Sequence, residues 1–161
     1  MKTIMKNEVR VEEMQFVEEA GRAFEETGMP RMAGRIFGSL LIAEPPHQSP
    51  DQLAKSLLAS KGSISSITRL LIEVGLIERY SMAGVRHDYF RVKEDACRHM
   101  VGHGIEDEIK MMHRLAHRGL ALLGKQKRVF TLLQEMNDLY DFLERELPAL
   151  IERWEREKKS K

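Results

Sequence analysis

The sequence predicts a mainly α-helical fold with a small β-hairpin wing: a winged helix-turn-helix followed by a long helical dimerisation region. Residues 50–74 contain two short amphipathic helices separated by a tight turn, and two short strands rich in apolar and β-branched residues follow them. From residue 94 onward, apolar residues recur at helical spacing almost to the end of the chain. We therefore divide the chain into residues 1–93, the winged domain with its N-terminal helices, and residues 94–161, the helical dimerisation region.

Two N-terminal helices are predicted over residues 7–27 and 31–43. Gly28-Met29-Pro30 ends the first, and Pro45-Pro46 ends the second. Gly34 and Gly38 lie one helical turn apart, which allows a neighbouring helix to approach closely. We expect the apolar residues of the first helix to face the core, namely Val11, Met14, Phe16, Val17, Ala20 and Phe24.

The first helix of the helix-turn-helix begins at Ser49-Pro50-Asp51. The serine hydroxyl accepts early backbone N–H groups, proline suits the first turn, and the carboxylate lies near the positive end of the helix. Residues 60–63 form the turn, in which we expect Gly62 to adopt a backbone conformation that other residues resist. Leu53, Ala54, Leu57 and Leu58 form the apolar face.

The second helix of the motif, residues 62–74, has an apolar stripe and an opposite face of small hydroxyl residues. Such a face lets a helix lie in the major groove and hydrogen-bond to phosphates or bases. Arg69 is long enough to reach a phosphate or a guanine edge, and Lys61 stands at the helix entrance. The alternative is a face that is only solvated, but the helix before it and the wing after it favour DNA contact. The predicted contacts on this helix are Lys61, Ser63, Ser65, Ser66, Thr68 and Arg69.

The wing spans residues 77–92, after Gly75 has ended the second helix. Its two strands are separated by a glycine-containing loop over residues 81–86. Arginine on a wing commonly reaches phosphate or the narrow minor groove. We therefore predict DNA contacts at Arg79, Arg86 and Arg91, with Arg86 the strongest because it lies at the tip; the alternative is that these residues only make the hairpin soluble.

These residues resemble the MarR superfamily of winged-helix regulators, and most closely its GbsR-like branch. The resemblance covers roughly residues 8–93 and is carried by residues 28–36 (GMPRMAGRI), residues 40–45 (LLIAEP), Leu53-Ala54, residues 60–65 (SKGSIS) and Gly75-Leu76-Ile77. It implies a homodimer that binds a palindromic operator in double-stranded DNA, commonly as a repressor tuned by a small-molecule effector. Some relatives hold osmoprotectants in aromatic cages, a ligand we do not transfer because the sequence shows no aromatic cluster.

The last helix is predicted over residues 126–159, with Pro148 bending it or beginning a new helix. Its apolar stripe is too long for one small domain to cover, so we predict that it pairs with the same helix of a second subunit. The alternative is an intramolecular hairpin with residues 105–123. The predicted dimerisation residues are Phe130, Leu133, Met136, Tyr140, Leu143, Leu147, Leu150, Ile151 and Trp154.

The net charge of +1 conceals an uneven distribution of charge. Residues 1–29 carry four basic and seven acidic residues, residues 30–93 carry nine and five, and residues 94–161 carry thirteen of each. The excess of +4 on the winged segment is what electrostatic DNA binding requires. The single cysteine, Cys97, fits a reducing cytoplasm, and the sequence has no signal-peptide core and no apolar run that would span a membrane.

Catalytic and cofactor motifs are not found in the sequence. There is no phosphate-binding glycine loop and no nucleophile motif, so we predict neither an enzyme nor a cofactor. Two alternatives to a DNA-binding regulator remain. One is a winged protein-interaction module that does not bind DNA, and the other is a metal-responsive regulator, for which His99, His103, His113 and His117 are weak ligand candidates because each pair lies four residues apart.

Overall fold

The computed structural model describes residues 2–82, 84, 88–123 and 129–159, and only the backbone of residues 2–9, 102–103, 123 and 129. The chain divides into two compact units, Met1–Ala96 and Cys97–Lys161. Among the described residues, no helix is long and apolar enough to cross a membrane.

The first unit is the predicted winged helix-turn-helix with two helices before it. It contains α1 (Lys2–Glu26), α2 (Arg31–Leu41), α3 (Pro50–Ser56), α4 (Lys61–Glu73), β1 (Ile77–Tyr80) and β2 (Tyr89–Val92). The two strands pair antiparallel with Ile77 opposite Val92 and Tyr80 opposite Tyr89, and an isolated bridge joins Gln48 to Phe90. The mainly helical fold class with a hairpin wing is confirmed.

The core of this unit lies between α2, α3, α4 and the hairpin. Leu53 and Leu57 of the α3 segment and Ile64 and Leu71 of α4 are at most 1% exposed, so both helices of the motif bury an apolar face. Leu58, which the sequence assigns to the apolar face of the first helix, is 92% exposed because the chain turns there, and that part of the prediction is wrong. From α2 and the wing come Ala33, Ile36, Phe37, Leu40, Leu76, Ile77 and Phe90.

The contact between α1 and α2 depends on glycine. A Cβ at Gly34 would clash with the backbone carbonyl of Ala20, and one at Gly38 would lie 2.7 Å from the Ala20 Cβ. The expected close approach is therefore present. Because α1 meets α2 along a narrow line, it buries Val17 and Phe24, whereas Val11, Met14 and Phe16 are exposed. The prediction that these three residues face the core is wrong for the described chain.

Three helix ends share the same left-handed turn. Gly28, Leu58 and Gly75 have φ values of 83°, 51° and 76° and follow α1, α3 and α4. In each case the next residue donates its N–H to the carbonyl oxygen of a residue in the last turn of the helix, as Ala59 does to Ala54 at 3.0 Å. The predicted role of Gly62 was wrong: it is part of α4, and Leu58 takes the left-handed conformation of the turn.

The second unit is a helical hairpin. It contains α5 (Ala96–His99), a π-helical segment (Met100–Ile105), α6 (Glu106–Leu123) and α7 (Val129–Lys159). The π-helical segment contains Gly102 and Gly104 and lies between α5 and α6. No new helix begins after Leu147, because α7 continues through Pro148. Two contacts show that α6 and α7 are antiparallel: a Cβ at Gly119 would touch Leu133, and His113 contacts Glu144.

Candidate nucleic-acid interface

The second helix of the motif presents a narrow polar face to solvent. Gly62, Ser65, Ser66 and Arg69 are exposed and lie on one side of α4, opposite the buried Ile64 and Leu71. The helix begins with Ser60, whose hydroxyl accepts the backbone N–H of Ser63 at 3.1 Å. A face of glycine, two serines and one arginine is small enough to enter a major groove and carries one long donor for a base or a phosphate.

Thr68 does not belong to this face, which corrects the sequence-based prediction. It is 3% exposed, and its hydroxyl donates to the carbonyl oxygen of Ile64 at 2.7 Å. The hydroxyl is therefore satisfied inside the helix and stays away from any ligand. The error arose because threonine, a polar residue, was assigned to the polar face although its position follows Ile64 by one helical turn.

Lys61 stands at the entrance of α4, as predicted, and is paired with a carboxylate. Its Nζ lies 2.8 Å from Oδ1 of Asp51, the second residue of α3. The hydrogen bond and the charge of Asp51 raise the pKa of Lys61 above its usual value of 10.5. Both side chains are largely exposed, so the pair joins the first turns of the two motif helices at the protein surface.

The wing arginines are also paired. Arg79 lies 3.6 Å from Asp88, and the Nε of Arg91 donates to Oε1 of its cross-strand neighbour Glu78 at 2.6 Å. The Cζ of Arg91 in β2 lies 4.6 Å from the ring centroid of Tyr80 in β1, so this guanidinium contacts both Glu78 and Tyr80 on the neighbouring strand. Arg86 lies outside the described residues.

An aromatic cluster that the sequence does not reveal lies at the end of the strand pair that adjoins the wing loop. The His47 ring centroid lies 5.3 Å from that of Tyr80 and 4.9 Å from that of Tyr89. Gln48, next to His47, exchanges two backbone hydrogen bonds with Phe90. The segment between α2 and α3 therefore pairs with β2 at this one position. No local pattern in the sequence signals this pairing, because the two residues are about 40 positions apart.

A second charged network connects α1 and α2 to the turn of the motif. Glu18 of α1 contacts Arg31 at 2.8 Å and Arg35 at 2.7 Å, and Arg35 also donates to the carbonyl oxygen of Leu57 at 3.2 Å. The hydrogen bond from Arg31 is the main cause that lowers the pKa of Glu18 below its usual value of 4.5. Both arginines of α2 therefore form ion pairs that join α2 to α1, and Arg35 also joins α2 to the end of α3.

Of the histidines predicted as weak metal-ligand candidates, His113 contacts a carboxylate of α7. Nδ1 of His113 lies 2.7 Å from Oε2 of Glu144, His117 is exposed, and the side chain of His103 lies outside the described residues. Within the part of the chain that the structure describes, no three His, Cys, Asp or Glu residues are grouped as metal ligands would be.

The predicted dimerisation residues fall into two sets. Those that contact α6 or lie on its side of α7 are half-buried: Phe130, Leu133, Met136, Tyr140, Leu143, Leu147 and Ile151. Leu150 is 52% exposed and Trp154 is 46% exposed. The intramolecular hairpin is therefore present, and it leaves part of the stripe uncovered.

Comparisons with known proteins agree with this architecture. A family model described as MmpR5-like MarR family transcriptional regulator matches residues 104–157. The HTH-type transcriptional regulator MmpR5 of Mycobacterium tuberculosis (strain ATCC 25618 / H37Rv) is 40% identical over 139 residues, 81% of this chain and 79% of the relative. A putative HTH-type transcriptional regulator, YvaV of Bacillus subtilis (strain 168), is 26% identical over 155 residues, 88% of this chain and 86% of its own.

A solved structure adds the same result at the level of the fold. The crystal structure of a transcriptional regulator has a TM-score of 0.70 and 37% sequence identity, and the match covers 90% of this chain and 99% of that one. The chain therefore belongs to the MmpR5-like MarR family of winged-helix transcriptional regulators.

Proposed function

We propose that this regulator represses transcription in the cytoplasm by binding a palindromic operator in double-stranded DNA as a homodimer, with α4 in the major groove and the wing beside it. The observation that carries the proposal is the exposed face of α4, where Ser65, Ser66 and Arg69 stand opposite a buried apolar stripe. The excess of basic residues in residues 30–93 supports it. The motif of residues 28–36 supports placement in the GbsR-like branch of the superfamily.

Seven residues are proposed as DNA contacts. Arg69 and the serines lie on the α4 face that we propose reads base edges, and Lys61 and Arg79 are proposed to contact phosphates. Arg86 is retained from the sequence-based prediction. Thr68 is left out because it is buried, and Arg91 is left out because Glu78 and Tyr80 already engage it. The set is Lys61, Ser63, Ser65, Ser66, Arg69, Arg79 and Arg86.

The direct test is Arg69→Ala, with Arg22→Ala as the matched control. Genomic fragments selected by the purified protein supply the operator, and fluorescence anisotropy of a labelled duplex measures its affinity. A good arginine contact to a base contributes about 1–3 kcal/mol, so Arg69→Ala should weaken binding by roughly five- to 150-fold for each half-site. Arg22, an exposed arginine of α1, should be replaceable without effect. Wild-type affinity in Arg69→Ala would refute this contact.

The homodimer is supported by apolar residues that the α6–α7 hairpin leaves exposed. On α6, Met111 is 52%, Leu115 58% and Leu122 77% exposed, and on α7, Leu139 is 54% and Phe142 51% exposed. Sedimentation velocity should give a dimer for the wild type and a monomer for Phe142→Lys. A monomeric wild type at micromolar concentration would contradict the assembly. The dimer also predicts half-sites about one helical turn apart.

Effector control is proposed for a cleft in the first unit. The cleft has a volume of about 760 Å³, within the range of small-molecule sites, and Met14, Val17, Ile42 and Leu57 form its apolar lining. His47 lines the same cleft and contacts Tyr80 and Tyr89 of the wing. A small apolar ligand with a polar end would therefore touch a residue that positions the wing.

A variant that fills the cleft tests this site. Compounds that release labelled operator from the wild type should lose that effect on Met14→Trp, while DNA affinity without compound stays unchanged. Val11→Trp places the same side chain at an exposed position of α1 outside the cleft lining and should respond like the wild type. An unchanged response in Met14→Trp would move the effector site elsewhere.

A further inference from the structure

The basic residues that the sequence predicts for the DNA face are, with one exception among the described residues, already paired inside the protein. Lys61 contacts Asp51, Arg79 contacts Asp88 and Arg91 contacts Glu78. Within the described part of the chain, Arg69 is the basic candidate with no ion pair. An ion pair within the free protein has to be broken before its cation can take a DNA phosphate, so these carboxylates oppose binding.

We propose that Asp51 is an intramolecular competitor of the DNA phosphate: it holds the Lys61 ammonium in the free protein and lowers affinity for any duplex. The inference rests on the proposed DNA-binding function. It concerns Asp51 first because this pair is shorter than the Arg79–Asp88 pair, 2.8 Å against 3.6 Å, and because it lies at the first turns of both motif helices. Those first turns are where a helix-turn-helix meets the DNA backbone and the groove.

The exchange needs no change in the backbone. The side chains of Lys61 and Asp51 are 83% and 75% exposed, so the ammonium is free to rotate from a carboxylate oxygen to a phosphate oxygen. After the exchange, the Asp51 carboxylate would face a phosphate of the same sign. Non-specific affinity is almost wholly electrostatic, so a carboxylate here weakens binding to every sequence.

The size of the effect follows from the exposure of the pair. Exposed ion pairs typically change an equilibrium by a small factor, roughly one and a half to fivefold. Asp51→Asn should therefore bind DNA roughly one and a half to five times more tightly for each winged domain that contacts the duplex. The gain should shrink as added salt screens the charges.

The experiment uses the full chain and a fluorescein-labelled duplex of random sequence, about three helical turns long, so no operator needs to be known. Anisotropy titrations at low and moderate salt compare the wild type, Asp51→Asn, Lys61→Gln and the double variant. Asp51→Asn should tighten binding by a larger factor when Lys61 is present than when it is combined with Lys61→Gln, because only the first change releases the ammonium. Glu73→Gln is the matched control, because it removes one exposed carboxylate from the far end of α4 and leaves the pair intact.

Each outcome decides the matter. A wild type that binds the duplex, with Asp51→Asn equal to it or weaker, overturns the competitor role and leaves the DNA-binding function in place. An equal gain in Asp51→Asn and Glu73→Gln overturns it too, because net charge alone would then explain the change. No binding by any variant at low salt overturns the proposed function and the inference together. Thermal melting checks the fold, and if Asp51→Asn is unfolded, Asp51→Ser takes its place with the same expected gain.

Discussion

The left-handed turn after α3 predicts that replacing Leu58 by glycine stabilises the protein. Leu58 has a φ of 51°, and its side chain is 92% exposed. The equivalent turns after α1 and α4 use Gly28 and Gly75. The leucine side chain therefore makes this left-handed conformation sterically unfavourable, and because the side chain is almost fully exposed it adds little stability through burial.

The magnitude follows from two opposing terms. A left-handed conformation costs a residue with a side chain roughly 1–2 kcal/mol, and Leu58→Gly removes that cost. Glycine offsets about 0.5–1 kcal/mol of this gain, because it is freer in the unfolded chain. The net gain should be about 0.5–1 kcal/mol. For a chain of 161 residues this raises Tm by roughly 1–4 °C.

Thermal unfolding followed by circular dichroism measures this gain, and two further variants separate its causes. Leu58→Ala removes most of the same exposed side chain but keeps a Cβ in the left-handed conformation, so its Tm should stay close to that of the wild type. The Tm of Leu58→Asn should rise as that of Leu58→Gly does, because asparagine tolerates the left-handed conformation. Equal gains in the alanine and glycine variants would refute the backbone argument, as would a loss of stability in Leu58→Gly.

Three more predictions concern α4, the α1–α2 contact and acid stability. In urea titrations, Gly34→Ala should lower the free energy of unfolding by about 3 kcal/mol, because the added Cβ clashes with backbone atoms of α1. Gly62→Ala should raise it by about 0.5–1 kcal/mol, because alanine favours the helix and the atom nearest to the added Cβ is 3.9 Å away. Thr68→Val should leave operator affinity by anisotropy unchanged, since the hydroxyl bonds inside α4; a clear loss of affinity would return Thr68 to the interface. At pH 7, Glu18→Gln should have a lower free energy of unfolding than the wild type. This difference should vanish as the pH falls below 4.5, the usual pKa of glutamate, and through the lowered pKa of Glu18 in the folded protein, because protonation of Glu18 removes the stabilisation that its ion pairs provide. A difference in unfolding free energy that persists after Glu18 is fully protonated would contradict that assignment.

The parts of the fold that could be predicted are those determined by neighbouring residues. The serine caps of α3 and α4, the glycine after α4 and the alternation of apolar residues are local signals, and the helices and strands begin or end within a few residues of the predicted positions. The left-handed residue of the turn was misassigned to Gly62, because glycine is the usual choice and leucine is not. The residue type therefore pointed to Gly62, whereas the structure has the sterically unfavourable left-handed conformation at Leu58.

The site was predicted less completely because its charges are set by contacts across the fold. The sequence identified Lys61, Arg79 and Arg91 as basic residues of a DNA face, but it did not reveal their partners Asp51, Asp88 and Glu78. Nor did it bring His47 to the wing, because that contact depends on how the segment after α2 crosses to β2. The periodicity of a single sequence does not show which distant segments pair with each other.

The hairpin and the dimer, treated as alternatives in the sequence, are compatible because α7 has two apolar faces. Successive residues of a helix are turned by about 100°, so Leu133, Tyr140 and Ile151 share one side, and Leu132, Leu139 and Leu150 share a side about 100° away. The first set is half-buried, whereas the second is 58%, 54% and 52% exposed. An intramolecular hairpin therefore accounts for one face only. The second face is the surface that we propose for a subunit partner, and charged substitutions there should abolish the proposed dimer while the hairpin stays folded.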